Sequence, residues 1–323
     1  MKSGDITIPK TLRDAIVYYS DAKRCHDLLV AIRFPDGIRC LHCGSAKNVK
    51  FMESVQRFKC YDCRKQFSIK VGTILEDSPV PLTKWIPAFW LLTSARNGIS
   101  SCELARSLGV TQKTAWFMLH RIRHIVQTGT FEKLSGSVEA DETYTRGLQK
   151  NKHESKKLKA GRGTVGKCIV IAVLEGSTVA KKSRVRTKVA PDTSRETLHS
   201  LLKSNVQPGS AIYTDAHKSY NGLSEQFVHE FVHHAVCYAK DAVQTNGLEN
   251  YFSLLKRTLR GTYISVEPFH LTRYVDEQAY GFNTRDLNDA QRFLVALNMV
   301  TGSHLTYEEL TSGCTRYFGQ VIP

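Results

Sequence analysis

The sequence predicts an α/β protein whose mixed sheet follows a small metal-binding module and a helical region. Two pairs of closely spaced cysteines lie within the first 70 residues, and helical periodicity runs from Leu82 to about Val126. Beyond residue 130 the pattern changes to apolar strands, two of which end in acidic residues. Strands followed by helices in this way are typical of an α/β domain.

Composition and charge indicate a folded protein with a polyanionic partner. Its 323 residues are 41% apolar and 23% charged, which is ordinary for a globular chain of about two or three domains. Lys and Arg outnumber Asp and Glu by 45 to 30, and the net charge of +15 favours nucleic acid as the partner. The sequence shows no long apolar run and no secretion signal, so we expect a cytoplasmic, nucleoid-associated protein with no membrane partner.

The amino-terminal cysteines have the spacing of a zinc site. Helical periodicity from about Lys10 to Phe34 ends at a Pro-Asp-Gly turn, and two Cys-x2-Cys pairs follow. Two such pairs turn four thiolates towards one point, which suits tetrahedral zinc in a structural zinc ribbon. The expected ligands are Cys40, Cys43, Cys60 and Cys63. The other cysteines have no such partners and are expected to be core thiols: Cys25, Cys102, Cys168, Cys237 and Cys314.

The segment beyond the ribbon predicts a helix-turn-helix. Leu104 and Leu108 lie on one face of a first helix, Gly109 makes the turn, and Thr111 caps a second helix. We expect the second helix to present polar and basic side chains to the major groove of DNA. These side chains are Gln112, Lys113, Arg121 and Arg123. A plain helical hairpin is the alternative interpretation.

Five apolar or alternating segments predict the strands of the α/β domain. They cover residues 136–144, 167–174, 184–189, 211–215 and 231–238, with one helix near 194–204 and another that begins near Thr245. The third segment alternates basic and apolar residues, which favours a half-exposed edge strand. A mixed sheet with acids at its strand ends, and one more acid on a following helix, is the layout of a ribonuclease H-like domain.

Three acidic residues lie where this layout can bring them together. Asp141 and Asp215 end strands, and Glu249 lies in the first turn of the last helix. Three converging carboxylates repel one another, so they imply bound divalent cations, and two Mg²⁺ or Mn²⁺ ions could support phosphoryl transfer. We expect Glu139 and Glu142 to lie on the opposite strand face and to have at most a supporting role. Asp241 is a weaker acidic candidate because it follows its strand too closely, and we expect His217, His233 and His234 to be structural or to contact phosphates, not to bind metal.

Basic residues accompany the acidic candidates. Lys256 follows Glu249 by seven residues, so both lie on one side of the helix, about 10 Å apart, where Lys256 could hold a flanking phosphate. Arg257 is a further candidate for DNA contact. The segment 149–166 predicts a basic loop that could bind phosphates through Lys156, Lys157 and Arg162. The alternatives are an exposed helix with solvated charges and a solvated loop.

Several motifs together carry a family resemblance. They are Val138-Glu139-Ala140-Asp141-Glu142-Thr143, Tyr213-Thr214-Asp215-Ala216-His217, Thr245-Asn246-Gly247-Leu248-Glu249-Asn250, Gly261-Thr262-Tyr263 and His270-Leu271-Thr272-Arg273-Tyr274. With the zinc ribbon, they resemble DDE transposases of bacterial insertion sequences, in the group related to the Merlin elements. The resemblance spans the chain from Cys25 to Arg285. One departure is Leu41, where Pro often follows the first ribbon cysteine, and it leaves the zinc ligands untouched.

The resemblance implies a transposase that cleaves and joins DNA at the ends of its own mobile element. Asp141, Asp215 and Glu249 would be its catalytic, magnesium-binding acids, with Lys256 as the basic residue that follows them. The ribbon and the helix-turn-helix would recognise the terminal inverted repeats, and a second double-stranded DNA would be the target. Such enzymes act as oligomers, so we expect at least a dimer on DNA.

These elements divide the chain into five expected regions. They are a helical segment over 1–35, a zinc ribbon over 36–70, a helix-turn-helix region over 71–130, the ribonuclease H-like catalytic domain over 131–290 and a helical tail over 291–323. We expect the helix after Arg285 to pack on the catalytic domain. Two other functions stay open. One is a DNA-binding regulator with an inactive catalytic domain, and the other is a nuclease of the same fold that cuts without joining.

Overall fold

The chain forms two structural units. The computed structural model describes residues 8–126, 132–145, 167–179, 181–215, 218–231 and 246–312. Met1–Val126 and Leu287–Ser312 belong to the first unit, here the amino-terminal unit. The second, here the sheet unit, takes in Gln127–Asp286. Within the described ranges, none of the helices has the length and apolar character needed to cross a membrane.

Two helices open the amino-terminal unit where the sequence predicts one continuous helical stretch. Helix α1 spans Leu12–Tyr18 and α2 spans Ala22–Arg33. The break follows from Asp21, whose side chain accepts a hydrogen bond from the backbone N–H of Lys23 at 2.8 Å and caps α2. The chain therefore starts a new helix at this point instead of continuing the first.

The ribbon is a three-stranded antiparallel sheet. Its strands are β1 (Val49–Met52), β2 (Arg57–Cys60) and β3 (Gln66–Phe67), in the order β1-β2-β3. Phe58 pairs with Phe51 on one side and with Phe67 on the other, so one face of the sheet is aromatic. His26 of α2 packs on this face, with its ring centre 4.4 Å from that of Phe51.

Three helices follow the ribbon: α3 (Leu82–Ser94), α4 (Ser101–Leu108) and α5 (Gln112–Ile125). The turn between α4 and α5 has the predicted chemistry. Gly109 ends α4 in the left-handed region at φ 60°, and the Thr111 side chain accepts a hydrogen bond from the Thr114 N–H at 3.1 Å. The two helices are thus joined by a short, capped turn.

The second half of α5 is buried, which corrects the expectation for its arginines. Arg121 is 3% exposed and Arg123 is 1% exposed. The guanidinium of Arg121 donates to the backbone carbonyls of Leu305 at 3.0 Å and Glu76 at 2.8 Å. The prediction that Arg121 and Arg123 face DNA is therefore wrong, because these side chains lie inside the amino-terminal unit.

The carboxyl-terminal helices also belong to this unit. They are α9 (Asp289–Asn298) and α10 (Tyr307–Thr311). Phe293 of α9 is fully buried, with its ring centre 5.1 Å from Trp90 of α3 and 5.8 Å from Tyr19. The expectation that the helix after Arg285 packs on the catalytic domain is wrong, since its apolar face is covered by α3.

The sheet unit contains the predicted mixed sheet. Its strands are β4 (Ser137–Thr145), β5 (Cys168–Glu175), β6 (Arg184–Ala190), β7 (Ala211–Thr214) and β8 (Val228–Phe231). They lie in the order β6-β5-β4-β7-β8, with β6, β5 and β4 antiparallel and β7 and β8 parallel to β4. The predicted edge position of β6 is confirmed. The last strand begins earlier than predicted, and residues 232–238 lie outside the described part of the chain.

Helices cover both faces of this sheet. Helix α6 (Arg195–Asn205) covers one face, where Leu198 and Leu202 pack with Val138 and Ile171. Helices α7 (Asn246–Gly261) and α8 (Leu271–Asn283) cover the other, where the apolar stripe of α7 meets the alternate residues of β5. Because strand side chains alternate, each residue of β4 is assigned to one of these two faces.

Candidate functional site

Four thiols in the ribbon form one cluster. The sulfurs of Cys40, Cys43, Cys60 and Cys63 lie within 4.8 Å of one another, and the Cys40–Cys63 and Cys43–Cys60 pairs are 3.6 and 3.7 Å apart. Tetrahedral zinc with a Zn–S bond of about 2.3 Å requires sulfurs about 3.8 Å apart. The predicted four-cysteine cluster is confirmed, and its spacing fits a closed structural zinc site.

The remaining cysteines divide into three groups. Cys25 is buried, as expected of a core thiol, and Cys168 is half-buried. Cys102 is exposed on α4, so its assignment to the core is wrong. Cys237 and Cys314 lie outside the described residues.

Two of the acidic candidates lie on neighbouring parallel strands. Asp141 is the middle residue of β4, so the expectation that it ends its strand is wrong, and Asp215 directly follows β7. The register pairs Ser137 with Ala211 and Glu139 with Tyr213, so Asp215 falls in step with Asp141. Adjacent strands are about 4.8 Å apart. Val138 and Ile212 face α6, and alternation therefore directs Asp141 and Asp215 to the α7 face.

Asp141 holds its proton unusually well. Burial raises the pKa of Asp141 to about 7, and the negative charges of Glu142, Asp215 and Glu249 act in the same direction. The backbone N–H of Glu142 donates to its carboxylate at 2.7 Å and partly opposes this shift. The mutual influence of these charges shows that the three candidates share one electrostatic environment.

The third acid lies in a cleft between β4 and α7. The cleft has a volume of about 540 Å³, and Asp141 and Thr143 of β4 form one part of its wall. One face of α7 forms the rest, through residues at helical spacing: Glu249, Phe252, Ser253, Lys256, Arg257 and Arg260. Glu249 and Lys256 thus line the same cleft, and Arg257 and Arg260 are two further cations there. Arg260 follows Glu249 by eleven residues, so helical spacing predicts that both lie on the polar face of α7.

Glu139 joins the two elements that carry the acids. Its carboxylate accepts a hydrogen bond from the backbone N–H of Leu248 at 2.8 Å, in the first turn of α7. Burial raises its pKa, and the N–H groups of Leu248 and Gly247 oppose that shift. The expectation that Glu139 lies opposite Asp141 is wrong, because two residues of separation in a strand mean the same face. Glu139 therefore fixes the start of α7 against β4.

Gly247 is required by this contact. A Cβ atom at this position would lie 2.8 Å from a carboxylate oxygen of Glu139 and 3.1 Å from the side chain of Leu174. Glu142 lies on the other strand face, as expected, and accepts a hydrogen bond from the buried Tyr220 hydroxyl at 2.9 Å. The two glutamates flanking Asp141 thus bind different parts of the unit.

The acids and the thiols differ in how closely they are gathered. Of all the metal-binding side chains in the described ranges, only the four cysteines form a group whose ligand atoms lie within 4.8 Å of one another. No described Lys or Arg lies within ion-pair distance of Asp141 or Glu249. Carboxylates that repel one another in a cleft are a donor set of the type that Mg²⁺ and Mn²⁺ prefer. The chemistry of the cleft therefore fits divalent cations.

The other predicted DNA contacts are placed in different ways. Gln112 is exposed at the start of α5 and donates to the Ser101 hydroxyl at 2.8 Å. Lys113 is also exposed, with its ammonium 4.7 Å from the ring centre of Tyr307. The other candidates lie outside the described residues: Lys156, Lys157, Arg162, Asp241, His217, His233 and His234.

Comparisons with known families identify both modules. Residues 133–283, which include the whole described cleft, match the model of the ISXO2-like transposase domain. Residues 20–66, which include all four clustered cysteines, match the model of the transposase zinc-ribbon domain. These two parts of the chain are therefore similar to a transposase domain and to a transposase zinc ribbon.

Two curated relatives agree with this assignment. One is an uncharacterized protein in transposable element ISH50 of Halobacterium salinarum, 27% identical over 78% of this chain and 88% of its own length. The other is an uncharacterized transposase-like protein of Haemophilus influenzae, 28% identical over 38% of this chain and 98% of its own length. Both relatives are associated with transposition by their names.

Proposed function

We propose that this protein is a DDE transposase that binds the ends of its own insertion sequence and cleaves and joins DNA there. The observation that carries the proposal is the cleft in which Asp141 and Glu249 face Lys256, inside the part of the chain that matches a transposase domain. Phosphoryl transfer on DNA needs acidic side chains that bind divalent metal ions and basic side chains that bind phosphates. The cleft has both.

The sheet supports a ribonuclease H-like architecture for this domain. Three antiparallel strands are followed by two strands parallel to the first, and helices lie on both faces. In this arrangement β4 and β7 lie side by side, so Asp141 and Asp215 lie level with each other on neighbouring strands. Helix α7, which covers the adjacent face, brings Glu249 into the cleft beside Asp141.

The acids and cations of the cleft, together with Asp215 on the neighbouring strand, each have a role in this proposal. Asp141, Asp215 and Glu249 would hold two divalent cations, which supply activation of the attacking oxygen and stabilisation of the leaving oxygen. Lys256 binds a phosphate next to the scissile one, and Arg257 and Arg260 extend the cationic wall along α7. Glu139 has no contact with DNA in this account and holds the start of α7 in place.

Recognition of the element ends is assigned to the amino-terminal unit. Helices α4 and α5 have the capped turn of a helix-turn-helix, and Gln112 and Lys113 lie exposed at the start of the second helix. The amino-terminal residues of such a recognition helix are the ones that contact base edges. Since two ends must meet one target, the active form would be at least a dimer on DNA.

A cleavage and joining assay tests this function. Labelled duplexes that carry the element's own ends are incubated with Mg²⁺ and either the wild type or Glu249→Gln. Glu196→Gln, which changes an exposed glutamate on α6, is the matched control. We expect cut and joined products from the wild type and the control, and none from Glu249→Gln.

The same assay separates the alternatives. Binding of the ends without cutting by the wild type would overturn the proposal in favour of a DNA-binding regulator. Cut ends without joined products would indicate a nuclease of the same fold. Equal activity of Glu249→Gln and the wild type would remove Glu249 from the active site.

A further inference from the structure

The ribbon sheet has two faces of opposite character. Phe58 and Phe67 are buried on the inner face, where they are 1% and 2% exposed. Alternation along the strands directs the residues between them outward. These outward residues are here called the ribbon outer face: Lys50, Met52, Arg57, Lys59, Tyr61 and Gln66. The outer face contains three cations and no acid.

Two of these cations lie directly opposite each other. Lys50 of β1 pairs with Lys59 of β2 in the antiparallel register. Like charges at directly opposed positions destabilise an antiparallel pair. In the described part of the chain, no carboxylate lies within ion-pair distance of Lys50, Arg57 or Lys59. The ribbon therefore keeps an unfavourable charge arrangement that its own acids do not neutralise.

An exposed aromatic ring lies between the two lysines. The ammonium groups of Lys59 and Lys50 are 5.2 and 5.7 Å from the ring centre of Tyr61. Tyr61 is 51% exposed, so its ring and hydroxyl are open to a partner. Tyrosine hydroxyls, lysines and arginines are among the groups that contact the DNA backbone. The outer face thus combines three cations with a hydroxyl donor at its centre.

Two exposed cations of α2 differ from those of the ribbon in having acidic partners. Lys23 lies 2.8 Å from Asp27, and Arg24 lies 3.7 Å from Asp21. What distinguishes the ribbon outer face is the direct opposition of Lys50 and Lys59 across the sheet. Arg57 and Lys59 are two residues apart on β2, about 6.6 Å along the strand, so they can reach separate anionic groups of one extended partner.

We infer that the ribbon outer face binds the phosphate backbone of DNA. This inference rests on the proposed function for the identity of the polyanion, and it assigns the ribbon a task different from that of α5. Backbone contacts made by Lys50, Arg57 and Lys59 would set the position of the protein on the duplex without reading its sequence. The exposed start of α5 would read the bases.

Salt dependence of DNA binding tests the inference in the full-length, zinc-loaded protein. The affinities of the wild type and of a Lys50→Ala, Arg57→Ala, Lys59→Ala triple variant are measured over a salt series. The probes are two labelled duplexes of equal length, one with an element end and one of random sequence. Each lost phosphate contact lowers the slope of log affinity against log salt by about 0.9. We expect the slope to fall by about 2 to 3 on both duplexes.

Matched variants distinguish the loss of charged contacts with DNA from a loss of folding. Lys23→Ala with Arg24→Ala removes two exposed cations that are paired with acids, and its slope should equal that of the wild type. Lys59→Glu places a carboxylate opposite Lys50, so it should raise the melting temperature of the protein while weakening DNA binding by at least about tenfold at low salt. A mere loss of folding cannot produce that combination.

The outcomes distinguish this inference from the proposed function. If the triple variant has unchanged slopes and the wild type cleaves DNA, the inference that the ribbon outer face binds DNA is overturned and the transposase proposal stands. Reduced slopes in a protein that does not cleave would support the outer face and overturn the transposase. A selective loss on the element end alone would show base reading by these residues and would contradict backbone binding.

Discussion

The thiols of the ribbon and the carboxylates of the sheet unit are both sets of metal-binding groups, and they are organised in opposite ways. The four sulfurs lie within 4.8 Å of one another, whereas the acids of the described cleft do not form such a group. The ribbon ligands come from two short knuckles of one small sheet. The acids come from two strands and a helix, and the open cleft of about 540 Å³ leaves room for a substrate. A closed set of ligands suits a structural ion, and an open one suits chemistry.

The largest expected effect is on the closed site. Cys60→Ser removes one of the four thiolates, and zinc binding contributes on the order of 10 kcal/mol to the folding of small zinc modules. We expect the variant to lose its zinc and to bind the element ends weakly. Metal analysis of the purified protein measures the first effect.

A matched variant sharpens this prediction. Cys102→Ser changes an exposed cysteine outside the cluster and should keep its full zinc content. Full zinc content in Cys60→Ser as well would contradict the assignment of the ribbon ligands.

A smaller effect is expected on the open site. Asp141→Asn removes a proposed cation ligand and a charge, and divalent cations supply several kcal/mol of stabilisation in phosphoryl transfer. Cleavage of the element ends should therefore slow by about a thousandfold or more. Zinc content and end binding should be unchanged, because the four cysteines and the proposed end-recognition helix belong to the amino-terminal unit. Cleavage at the wild-type rate would show that the cleft is not the active site.

A steric change at the start of α7 should cost less again. Gly247→Ala places a methyl group 2.8 Å from a Glu139 oxygen, and overpacking of this kind costs about 1–3 kcal/mol. We expect a lower melting temperature of the sheet unit and slower cleavage. Gly261→Ala, at the other end of the same helix, meets nothing within 4 Å and is the control. Equal melting temperatures for the two variants would show that the contact between Glu139 and the start of α7 does not stabilise the sheet unit.

The last expected effect is on stability alone, as a pH dependence in the absence of divalent cations. Burial raises the pKa of Asp141 from its ordinary value of 3.8 to about 7, so the folded protein binds this proton more tightly than the unfolded chain. The stabilising contribution of protonated Asp141 is complete below about pH 4 and is lost as the pH rises through 7. Asp141→Asn should therefore melt at a higher temperature than the wild type above pH 7.

That comparison requires zinc-loaded, magnesium-free protein at several pH values. The difference in melting temperature between Asp141→Asn and the wild type should shrink as the pH falls towards 4. A difference that is constant with pH would mean that Asp141 is ionised throughout.

Local patterns in the sequence predict most of the elements around the cleft. The continuous apolar run of β5 and the amphipathic stripe of α7 are each sufficient to place a strand and a helix. The spacing of Glu249 and Lys256 on α7 follows from the helical repeat alone, and both residues line the cleft. The alternation of side chains along β4 also places Glu139 on the same face as Asp141, because the two residues are two positions apart.

Long-range packing accounts for what the sequence does not show. The apolar face of α9 predicts that the helix is packed but does not identify its partner, which is α3. As a basic residue, Arg121 is expected to be exposed. In the structure its guanidinium is buried and donates hydrogen bonds to the backbone carbonyls of Leu305 and Glu76. These carbonyls are far away along the chain and have no signal in the residues around Arg121.

Binding of Mn²⁺ to zinc-loaded protein, followed by electron paramagnetic resonance, tests most directly whether the cleft holds catalytic cations. The wild type and Asp141→Asn are titrated at pH 8, where Asp141 is ionised in the wild type. We expect the variant to bind Mn²⁺ at least about tenfold more weakly, with its zinc content unchanged. Equal Mn²⁺ affinity in the two proteins would contradict the assignment of the acidic cleft as the metal-binding active site.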